Sequence, residues 1–337
     1  MPINPLLVLG TRPQIIKSIP IIKTSIGDEE VNLSIIHTGQ HYDYEMTAFL
    51  FDEFNLPTPI ANLEVGSHPH IEQLTLMMTK LNNAIKTKPD IMIVPGDTNS
   101  ALAAALVASK RDIPLAHMEA GARSYNMKMK EEVNRRIIDH CSDLLFAPTV
   151  NCRKNLLDEK VRGDVFRTGD TMLDMFYETR EKIDECNIVE DMGLEDGGYT
   201  LLTLHRPENV DDPKKLALRL DGLKNQGKVI FPIHPRTKQR ISKFKIKLPS
   251  NIKTIKPVNY VEILKLVKHS KGVATDSGGL QKEVFWSGKP LMILRETTEW
   301  PETRTGCIED FGLGNASQII IGLIKSHLNN EINTGNI

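Results

Sequence analysis

Cysteine is scarce in this sequence, and the few cysteines lack the spacing of a disulfide framework or a metal site. There are four in 337 residues, with no C-x-x-C pair and no histidine cluster beside any of them. A secreted domain held by disulfides, or a zinc module, would show such spacing. The sequence therefore predicts reduced thiols in a cytoplasmic protein and no structural metal. The four are Cys141, Cys152, Cys186 and Cys307.

Charge of one sign and long apolar runs are also missing. The formal net charge is −1, and no block of five or more basic residues occurs, which makes nucleic acids and anionic membranes poor partners. No apolar run approaches the roughly 20 residues that a membrane-spanning helix needs. The initial segment MPINPLLVLG lacks the charged start of a signal peptide. An anionic small molecule stays compatible, because its site needs only a few donors.

What the sequence does have is a regular alternation of apolar runs and amphipathic segments. Runs such as Leu6–Leu9 and Leu144–Ala147 are continuously apolar, which is typical of parallel strands buried on both faces. Helical segments separate them, so we predict an α/β protein with doubly wound sheets. At this length two domains are expected, with a boundary near residue 185. Two such Rossmann-like domains would face a cleft lined by the C-terminal ends of their strands.

The stretch LLVLGTRPQIIK (6–17) predicts an anion site in the first half of the chain. It runs from a strand through a turn at Gly10 into a helix with Pro13 in its first turn, where the missing N–H costs nothing. The free amides of a helix start can hold an anion, and Arg12 adds a bidentate cation with Lys17 one turn further. An ordinary βα turn with surface cations explains the same residues, so both interpretations stay open.

Acidic residues end two neighbouring apolar runs. The apolar run in IMIVPGDTNS ends at Asp97, and the predicted strand in LAHMEAGARS leads directly to Glu119. Asp97 can be explained as a helix cap, whereas no helix start is evident after Glu119. KEEVNRR places Glu131 and Glu132 at a helix start, where the helix dipole favours acids. Taken one at a time, each acid is at least as consistent with a structural role as with a functional one; converging on one cleft, they form a candidate acid/base set.

The second half of the chain carries a glycine-rich turn in VATDSGGLQKEV. An apolar strand ends at Asp276, and Ser277, Gly278 and Gly279 then open a helix. Paired glycines let a diphosphate approach the backbone, and Glu283, one turn on, can accept from a sugar hydroxyl. A serine cap is the structural alternative, but a cap needs no pair of glycines, so the pattern favours a phosphate site.

Two further strand ends in this half carry cationic side chains. LTLHRPENV leads to His205 and Arg206, and IFPIHPRT leads to His234 and Arg236. A single histidine at a strand end is more often structural. Two such clusters on the predicted cleft side suit a doubly charged ligand better.

These segments occur in the order and spacing of a known family. The chain resembles the non-hydrolysing UDP-N-acetylglucosamine 2-epimerases over residues 5–306, in the motifs GTRPQIIK, GQH, GDTNS, HMEAGARS, EEVNR, HRPEN, DSGGLQKE and ETTEWPE. Any one motif would be a weak signal, but eight in order are specific. The resemblance implies a two-domain nucleotide-sugar fold of the GT-B type, usually a homodimer, that interconverts UDP-N-acetylglucosamine and UDP-N-acetylmannosamine. It implies no metal and no redox cofactor.

The resemblance also implies roles for individual residues. The catalytic carboxylates would be Asp97, Glu119 and Glu131, with His205 acting in catalysis and in binding. The residues that would hold UDP are Arg12, Lys17, His205, Ser277, Gly278, Gly279 and Glu283. Many bacterial relatives bind substrate at a second, regulatory site, which Gln40 and His41 match in part, so allosteric activation stays open.

The implied domains are residues 1–184 with the carboxylates, residues 185–314 with the UDP site, and residues 315–337. The last segment would form a helix, introduced by GLGNAS, that packs back on the first domain. Two features depart from the family. Trp300 stands where many bacterial relatives have arginine, and the stretch before GLGNAS is shorter than usual.

The chemistry of the reaction explains these residue types. The hydrogen on carbon 2 is not acidic until UDP leaves and carbon 1 gains oxocarbenium character. Elimination then gives 2-acetamidoglucal and UDP, and re-addition with protonation on the other face inverts the centre. Cations must stabilise the diphosphate, carboxyl groups must handle the proton on both faces, and the site must close over the intermediate. The alternatives are a hydrolysing 2-epimerase, a GT-B glycosyltransferase and a catalytically inactive nucleotide-sugar sensor.

Overall fold

The computed structural model describes residues 2–40 and 44–329, and the chain divides into two compact units. The first unit contains the residues up to Met175 together with the segment that starts at Glu309. The second unit runs from Phe176 to Ile308. Along the described residues, no helix is both long and apolar enough to cross a membrane.

The first unit is built on a parallel sheet of seven strands in the part of the chain that is described, in the order β3-β2-β1-β4-β5-β6-β7. Its central strands are buried along their whole length, as their apolar sequences predict. The strands are β1 (Pro5–Leu9), β2 (Ser34–His37), β3 (Ala61–Asn62), β4 (Ile91–Pro95), β5 (Leu115–Met118), β6 (Leu144–Ala147) and β7 (Asp164–Arg167).

Helices connect these strands and cover the sheet. The alanine-rich helix α4 packs against α3 and α5 and places its small side chains in the core beside β1 and β4. The helices of this unit are α1 (Arg12–Ile26), α2 (Tyr44–Glu53), α3 (His70–Ala84), α4 (Asn99–Lys110), α5 (Lys130–Cys141), α6 (Val150–Asp158) and α7 (Thr171–Glu178), whose last residues pass into the second unit.

The second unit contains a parallel sheet of five strands, again among described residues, in the order β10-β9-β8-β11-β12. Two separate apolar clusters pack on it. The strands are β8 (Tyr199–Thr203), β9 (Lys228–Pro232), β10 (Ile252–Ile255), β11 (Gly272–Thr275) and β12 (Leu291–Ile293). The helices are α8 (Arg180–Glu185), α9 (Ile188–Asp191), α10 (Pro207–Val210), α11 (Pro213–Asp221), α12 (Pro235–Phe244), α13 (Tyr260–Lys268), α14 (Gly278–Trp286) and α15 (Glu302–Thr305).

Both sheets reverse their strand order at one point, and this reversal locates the functional loops. In the first unit the chain proceeds from β1 to β2 on one side and returns to β4 on the other. In the second unit β8 is flanked by β9 and β11 in the same way. Ligands of open α/β sheets bind beyond the carboxyl ends of the strands at such a point. The loops after β1, β4, β8 and β11 are therefore the first places to look.

The division of the chain differs from the boundary that we predicted at residues 184/185. Helix α8 packs on α13, where Asp184 accepts from Lys265 through its carbonyl at 3.2 Å and pairs with Lys268 through its carboxylate. The residues from 176 onwards therefore belong with the second unit. The short helices α7 to α9 and the strand β7 were missed in the sequence, because none has a long apolar period.

The last helix, α16 (Ala316–Leu328), belongs to the first unit and lies against α1. Asp174 accepts from the amides of Ala316 at 3.0 Å and Ser317 at 2.7 Å, so it satisfies the start of this helix. A short 3-10 turn, Ile308–Phe311, precedes the helix, and the Phe311 carbonyl accepts from the Asp170 amide at 2.8 Å. The second boundary therefore lies near residue 308 rather than at the predicted 314/315.

Candidate active site

The turn after β1 has no room for a side chain. The amide of Gly10 donates to Gln14 Oε1 at 3.0 Å, and a Cβ on Gly10 would lie 1.9 Å from Thr38 Oγ1 and 2.3 Å from Ser100 Oγ. Helix α1 then begins at Arg12 with proline in its first turn, and its N-cap residue makes no side-chain cap bond. The predicted strand, turn and helix are confirmed here, and Arg12 is half-buried beside the helix start.

Asp97 does not cap α4. The cap residue is Thr98, whose hydroxyl accepts from the Ala101 amide at 3.3 Å. Asp97 instead pairs with Arg135 of α5, with 2.6 Å between Oδ2 and Nη2, and its side chain stays 27% exposed. Asn134 also holds this turn, because its Nδ2 donates to the Asp97 carbonyl at 2.9 Å. The structural explanation that the sequence offered for Asp97 is therefore wrong.

Glu119 occupies a backbone conformation that side-chain-bearing residues rarely adopt. Its φ is +66°, and such strain costs of order 1–3 kcal/mol and persists only where the surroundings enforce it. Its carboxylate pairs with Lys17 of α1, and the two side chains are 15% and 13% exposed. Strain at a residue that keeps a partly accessible acid points to a functional role.

The two strand ends that carry Asp97 and Glu119 lie against each other. A Cβ on Gly96 would lie 3.0 Å from Lys17 Nζ and 3.3 Å from Glu119 Oε2, and Gly96 has a φ of +68°. The Gly96 amide also donates to the Met118 carbonyl at 3.0 Å. The structure thus brings together two acids, each with its own cation, at the carboxyl edge of the first sheet.

The motif EEVNR divides its two acids between different tasks. Glu132 is buried and accepts from the amide and hydroxyl of Ser124, at 2.8 and 2.9 Å, and from Arg135 at 3.1 Å. Burial would raise the pKa of Glu132, but these donors outweigh it and lower the pKa. Glu131 is half-buried in the first turn of α5. Glu132 is therefore a structural anchor of the loop before the helix.

Asp276 organises the site of the second unit. Its carboxylate has no exposed surface and accepts from the amides of His205 at 3.0 Å and Arg206 at 2.8 Å, and from Asn209 Nδ2 at 3.0 Å. Burial opposes its charge, but these donors and the nearby His205 ring lower the pKa of Asp276. The HRPEN loop after β8 is therefore folded around a buried carboxylate from the end of β11.

The two histidines of this unit lie side by side but differ in their partners. Their ring centroids are 5.6 Å apart. Nδ1 of His205 lies 3.1 Å from Asp276, and the side chain stays 36% exposed. Nδ1 of His234 accepts from the Arg236 amide at 3.1 Å, which makes His234 the cap of α12. Arg236 pairs with Asp211. A structural explanation therefore covers Arg236, whereas His205 presents an oriented and accessible ring.

The DSGG turn contains the serine cap that the sequence offered as the structural alternative. The Ser277 hydroxyl caps α14 by accepting from the Leu280 amide at 3.4 Å. Gly278 has no room for a side chain, because a Cβ would lie 2.6 Å from Glu299 Oε1. Gly279 follows in the first turn of α14, and Glu283 is buried on the same helix. The carboxylate of Glu299 therefore already lies against Gly278.

A group of charged side chains beside this turn was missed in the sequence. Glu299 is buried and pairs with Arg295, with 2.7 Å between Oε2 and Nη1, and lies 3.9 Å from Arg206. Lys282 is fully buried, and its ammonium group lies 4.1 Å from the centre of the Trp300 ring. Trp300, the departure from the family pattern, therefore packs on a lysine of α14.

The residues of the predicted regulatory site are only partly described. Gln40 is almost fully buried, and its Oε1 accepts from the amide and hydroxyl of Ser100, at 3.1 and 2.7 Å. His41 lies outside the described residues. Gln40 therefore holds the start of α4, close along the chain to Asp97. Within the described ranges, no three His, Cys, Asp or Glu side chains cluster as a metal site requires.

Comparisons with known proteins identify a family and relatives that this chain resembles. The profile of a family described as UDP-N-acetylglucosamine 2-epimerase matches residues 24–336. The UDP-N-acetylglucosamine 2-epimerase of Methanocaldococcus jannaschii is 43% identical over 311 residues, 88% of this chain and 85% of that protein. The UDP-2,3-diacetamido-2,3-dideoxy-D-glucuronate 2-epimerase of Pseudomonas aeruginosa is 38% identical over 338 residues, 97% of this chain and 93% of that protein.

A crystal structure shares the fold. It is that of the Methanocaldococcus jannaschii UDP-GlcNAc 2-epimerase in complex with UDP-GlcNAc and UDP, and it superposes with a TM-score of 0.87 at 37% identity. The match covers 96% of this chain and 99% of that one. The predicted fold, two parallel sheets with flanking helices, is confirmed.

Proposed function

The chain belongs to the UDP-N-acetylglucosamine 2-epimerase family, and we propose that it interconverts UDP-N-acetylglucosamine and UDP-N-acetylmannosamine without hydrolysis. The observation that carries the proposal is the pair of strand-end acids, Asp97 with Arg135 and Glu119 with Lys17, at the carboxyl edge of the first sheet. An epimerase of this kind needs two carboxyl groups that can take and return a proton. A nucleotide-sugar sensor has no need for two such groups.

The proposed reaction begins with loss of UDP. The bond between carbon 1 and the diphosphate oxygen breaks, the proton on carbon 2 passes to one carboxylate, and the electron pair forms the double bond of 2-acetamidoglucal. Re-addition reverses these changes, with the proton delivered to the opposite face. We assign the proton transfers to Asp97 and Glu119. Glu131 stays a third candidate, because it is half-buried at the start of α5.

The second unit supplies the groups that a leaving diphosphate needs. We propose that Ser277, Gly278 and Gly279 at the start of α14 bind the diphosphate, since helix amides favour anions. His205, oriented by Asp276, would stabilise the charge that develops as UDP departs. Glu283 would hold the nucleoside sugar. Arg12 and Lys17 stay UDP-binding residues predicted by the family resemblance.

A second candidate differs only in the substrate. The Pseudomonas aeruginosa relative, matched over 97% of this chain, acts by its name on UDP-2,3-diacetamido-2,3-dideoxy-D-glucuronate. The proposed acid/base and diphosphate groups would serve either sugar, because neither role contacts carbon 3 or carbon 6. A cytoplasmic location and a homodimer stay predictions of the sequence and of the family resemblance.

NMR of the products tests the proposal. The protein is incubated in deuterated water with UDP-N-acetylglucosamine alone, and in parallel with the diacetamido-glucuronate substrate. A mixture of two UDP-sugars with deuterium at carbon 2 is expected for the first. Free sugar and UDP would show the hydrolysing reaction instead. Tight binding with no turnover of either substrate would support a sensor and refute the proposal.

A further inference from the structure

A histidine that the proposed reaction does not use lies directly behind the two acids. His117 is on β5, two residues before Glu119, and is fully buried. Its Nε2 lies 2.9 Å from the carbonyl of Gly96, the residue before Asp97. Its Nδ1 lies 2.7 Å from Asp139 Oδ1 on α5. One ring therefore joins both strand ends to the helix that carries Arg135.

The partners of this ring define where its hydrogens are. A backbone carbonyl can only accept, so Nε2 carries a hydrogen. An ionised carboxylate can also only accept, so Nδ1 carries a second hydrogen. The second oxygen of Asp139 also faces donors: Oδ2 lies 2.7 Å from Arg123 Nη2 and 3.3 Å from the Gly121 amide. Burial opposes that charge, but the contacts of His117 and Arg123 outweigh it and lower the pKa of Asp139.

Charges of both signs meet around Arg123. It pairs with Asp139 on one side and, through two hydrogen bonds of 2.9 and 2.7 Å, with Glu159, the residue after α6, on the other. Glu159 is 20% exposed and also lies 3.7 Å from Arg136. Buried charges are tolerated where each is paired and hydrogen-bonded.

We propose that His117 is a positioning residue that donates from both ring nitrogens, fixes Asp97 and Glu119 relative to each other, and takes no part in proton exchange with the sugar. This inference rests on the proposed function, because it assumes that these two acids do the chemistry. His117 holds the Gly96 carbonyl, Asp139 holds the Gly121 amide, and both sides of the two-acid site are thereby tied to one buried ring.

Two substitutions of His117 separate its two contacts. In His117→Asn the amide stands in for Nδ1 and keeps the contact with Asp139, whereas the tie to Gly96 is lost. In His117→Gln the amide reaches the place of Nε2 and keeps the tie to Gly96. Displacement of a reacting group by about 1 Å can cost about 100-fold in rate. We expect kcat to fall about 100-fold in His117→Asn and less than about 10-fold in His117→Gln, with KM nearly unchanged in both.

Asp139→Asn tests the protonation state. The new amide can donate to Nδ1 and still accept from Arg123 and Gly121, so a neutral His117 would keep both of its contacts. Arg123 then stays paired with Glu159. Histidine-labelled protein would show, by nitrogen NMR, two ring hydrogens on His117 in the wild type and one in Asp139→Asn, with kcat lowered less than about 10-fold. The His117 signal among the ten histidines is identified by its absence in His117→Gln.

The control is His140→Asn on the same helix, an exposed histidine beside Asp139, which should leave kcat unchanged. Thermal unfolding followed by circular dichroism, which reports the helices of both units, shows whether each variant is folded. A neutral His117 in the wild type would overturn the proposal, and so would equal loss of kcat in the Asn and Gln variants or no loss in either. An inactive wild type would refute the proposed function instead, and the NMR result would still decide the state of the ring.

Discussion

The two units place an acid at the same point of the same kind of sheet and use it in opposite ways. In the first unit, Asp97 and Glu119 follow β4 and β5, pair with cations from helices, and stay partly exposed. In the second unit, Asp276 follows β11, is fully buried, and accepts from backbone amides. The difference shows that an acid at a strand end is neither catalytic nor structural by position. The partners of these three acids differ: one cation leaves Asp97 and Glu119 partly exposed, whereas several donors enclose Asp276.

The largest expected effect is on turnover in the first unit. Asp97→Asn and Glu119→Gln should each lower kcat about 100- to 10,000-fold, because each removes a positioned acid or base. UDP affinity should change little, since the proposed diphosphate groups of the second unit are intact. Epimerisation and deuterium entry at carbon 2, both followed by NMR, measure the effect. Asp52→Asn and Glu29→Gln, two exposed acids of the same unit, are the matched controls. Near-normal deuterium exchange in both active-site variants would remove the contrast between the units.

The corresponding change in the second unit should act on stability. Asp276→Asn places an amide among backbone N–H donors, and we expect it to lower the free energy of unfolding by about 3 kcal/mol. Trp286 and Trp300 are the chain's two tryptophans and both belong to this unit, so their fluorescence in urea reports its unfolding. Asp97→Asn should leave the urea midpoint of this transition unchanged. An unchanged urea midpoint for Asp276→Asn would show that its hydrogen bonds contribute little.

Acid should distinguish the buried carboxylate by its pKa. Because the folded pKa of Asp276 is lower than its ordinary value of 3.8, its contribution to stability is complete above that value. The contribution is lost as the pH falls through the lower folded value. Between about pH 5 and pH 2 the wild type should therefore lose more stability than Asp276→Asn, by the same fluorescence measurement. Parallel loss in both proteins would assign the acid sensitivity of this unit to other groups, such as Asp211 and Asp212, whose pKa values are also lowered.

The smallest expected effect separates the two interpretations of Ser277. As a cap alone, Ser277→Ala should cost about 1 kcal/mol of unfolding free energy, and Ser277→Gly only a few tenths. A hydroxyl that also binds diphosphate predicts weaker UDP binding in both variants by a similar factor. Calorimetric titration with UDP, beside urea unfolding, provides both numbers. If the loss of UDP affinity parallels the loss of stability, and Ser277→Gly binds UDP normally, Ser277 acts only as a helix cap.

The structure changed several assignments for one physical reason. Thr98, and not Asp97, caps α4, because the helix begins at Asn99, one residue later than a cap at Asp97 requires. Glu132 rather than Glu131 is buried, because its side chain reaches the Ser124 loop eight residues earlier. Helix starts and caps vary by a residue in sequence-based prediction, and a shift of one residue turns a helix side chain by about 100°. The prediction of the apolar strands was less sensitive to a shift of one residue, since a continuous apolar run stays buried in either register.

His117 and Asp139 show what could have been found earlier. The run IPLAHM was interpreted as a core strand, and a histidine within a core strand already requires partners for both ring nitrogens. Asp139 and Arg123 were present as candidates for such partners, but nothing in the sequence joins them to that ring. The group exists only once α5 packs on β5.

The sequence by itself determined the order of strands and helices, the tight turns at Gly10 and Gly278, and the two sets of loops at the carboxyl ends of the strands. These follow from apolar periodicity and from local backbone chemistry, which neighbouring residues decide. Only the tertiary structure decided which acid is available. Glu119 receives its cation from a lysine 102 positions away, Asp97 from an arginine 38 positions away, and Asp276 its donors from amides about 70 positions away. Such partners meet only after the sheets have formed, because the fate of a carboxylate is set by the donors that reach it and not by its neighbours in the chain.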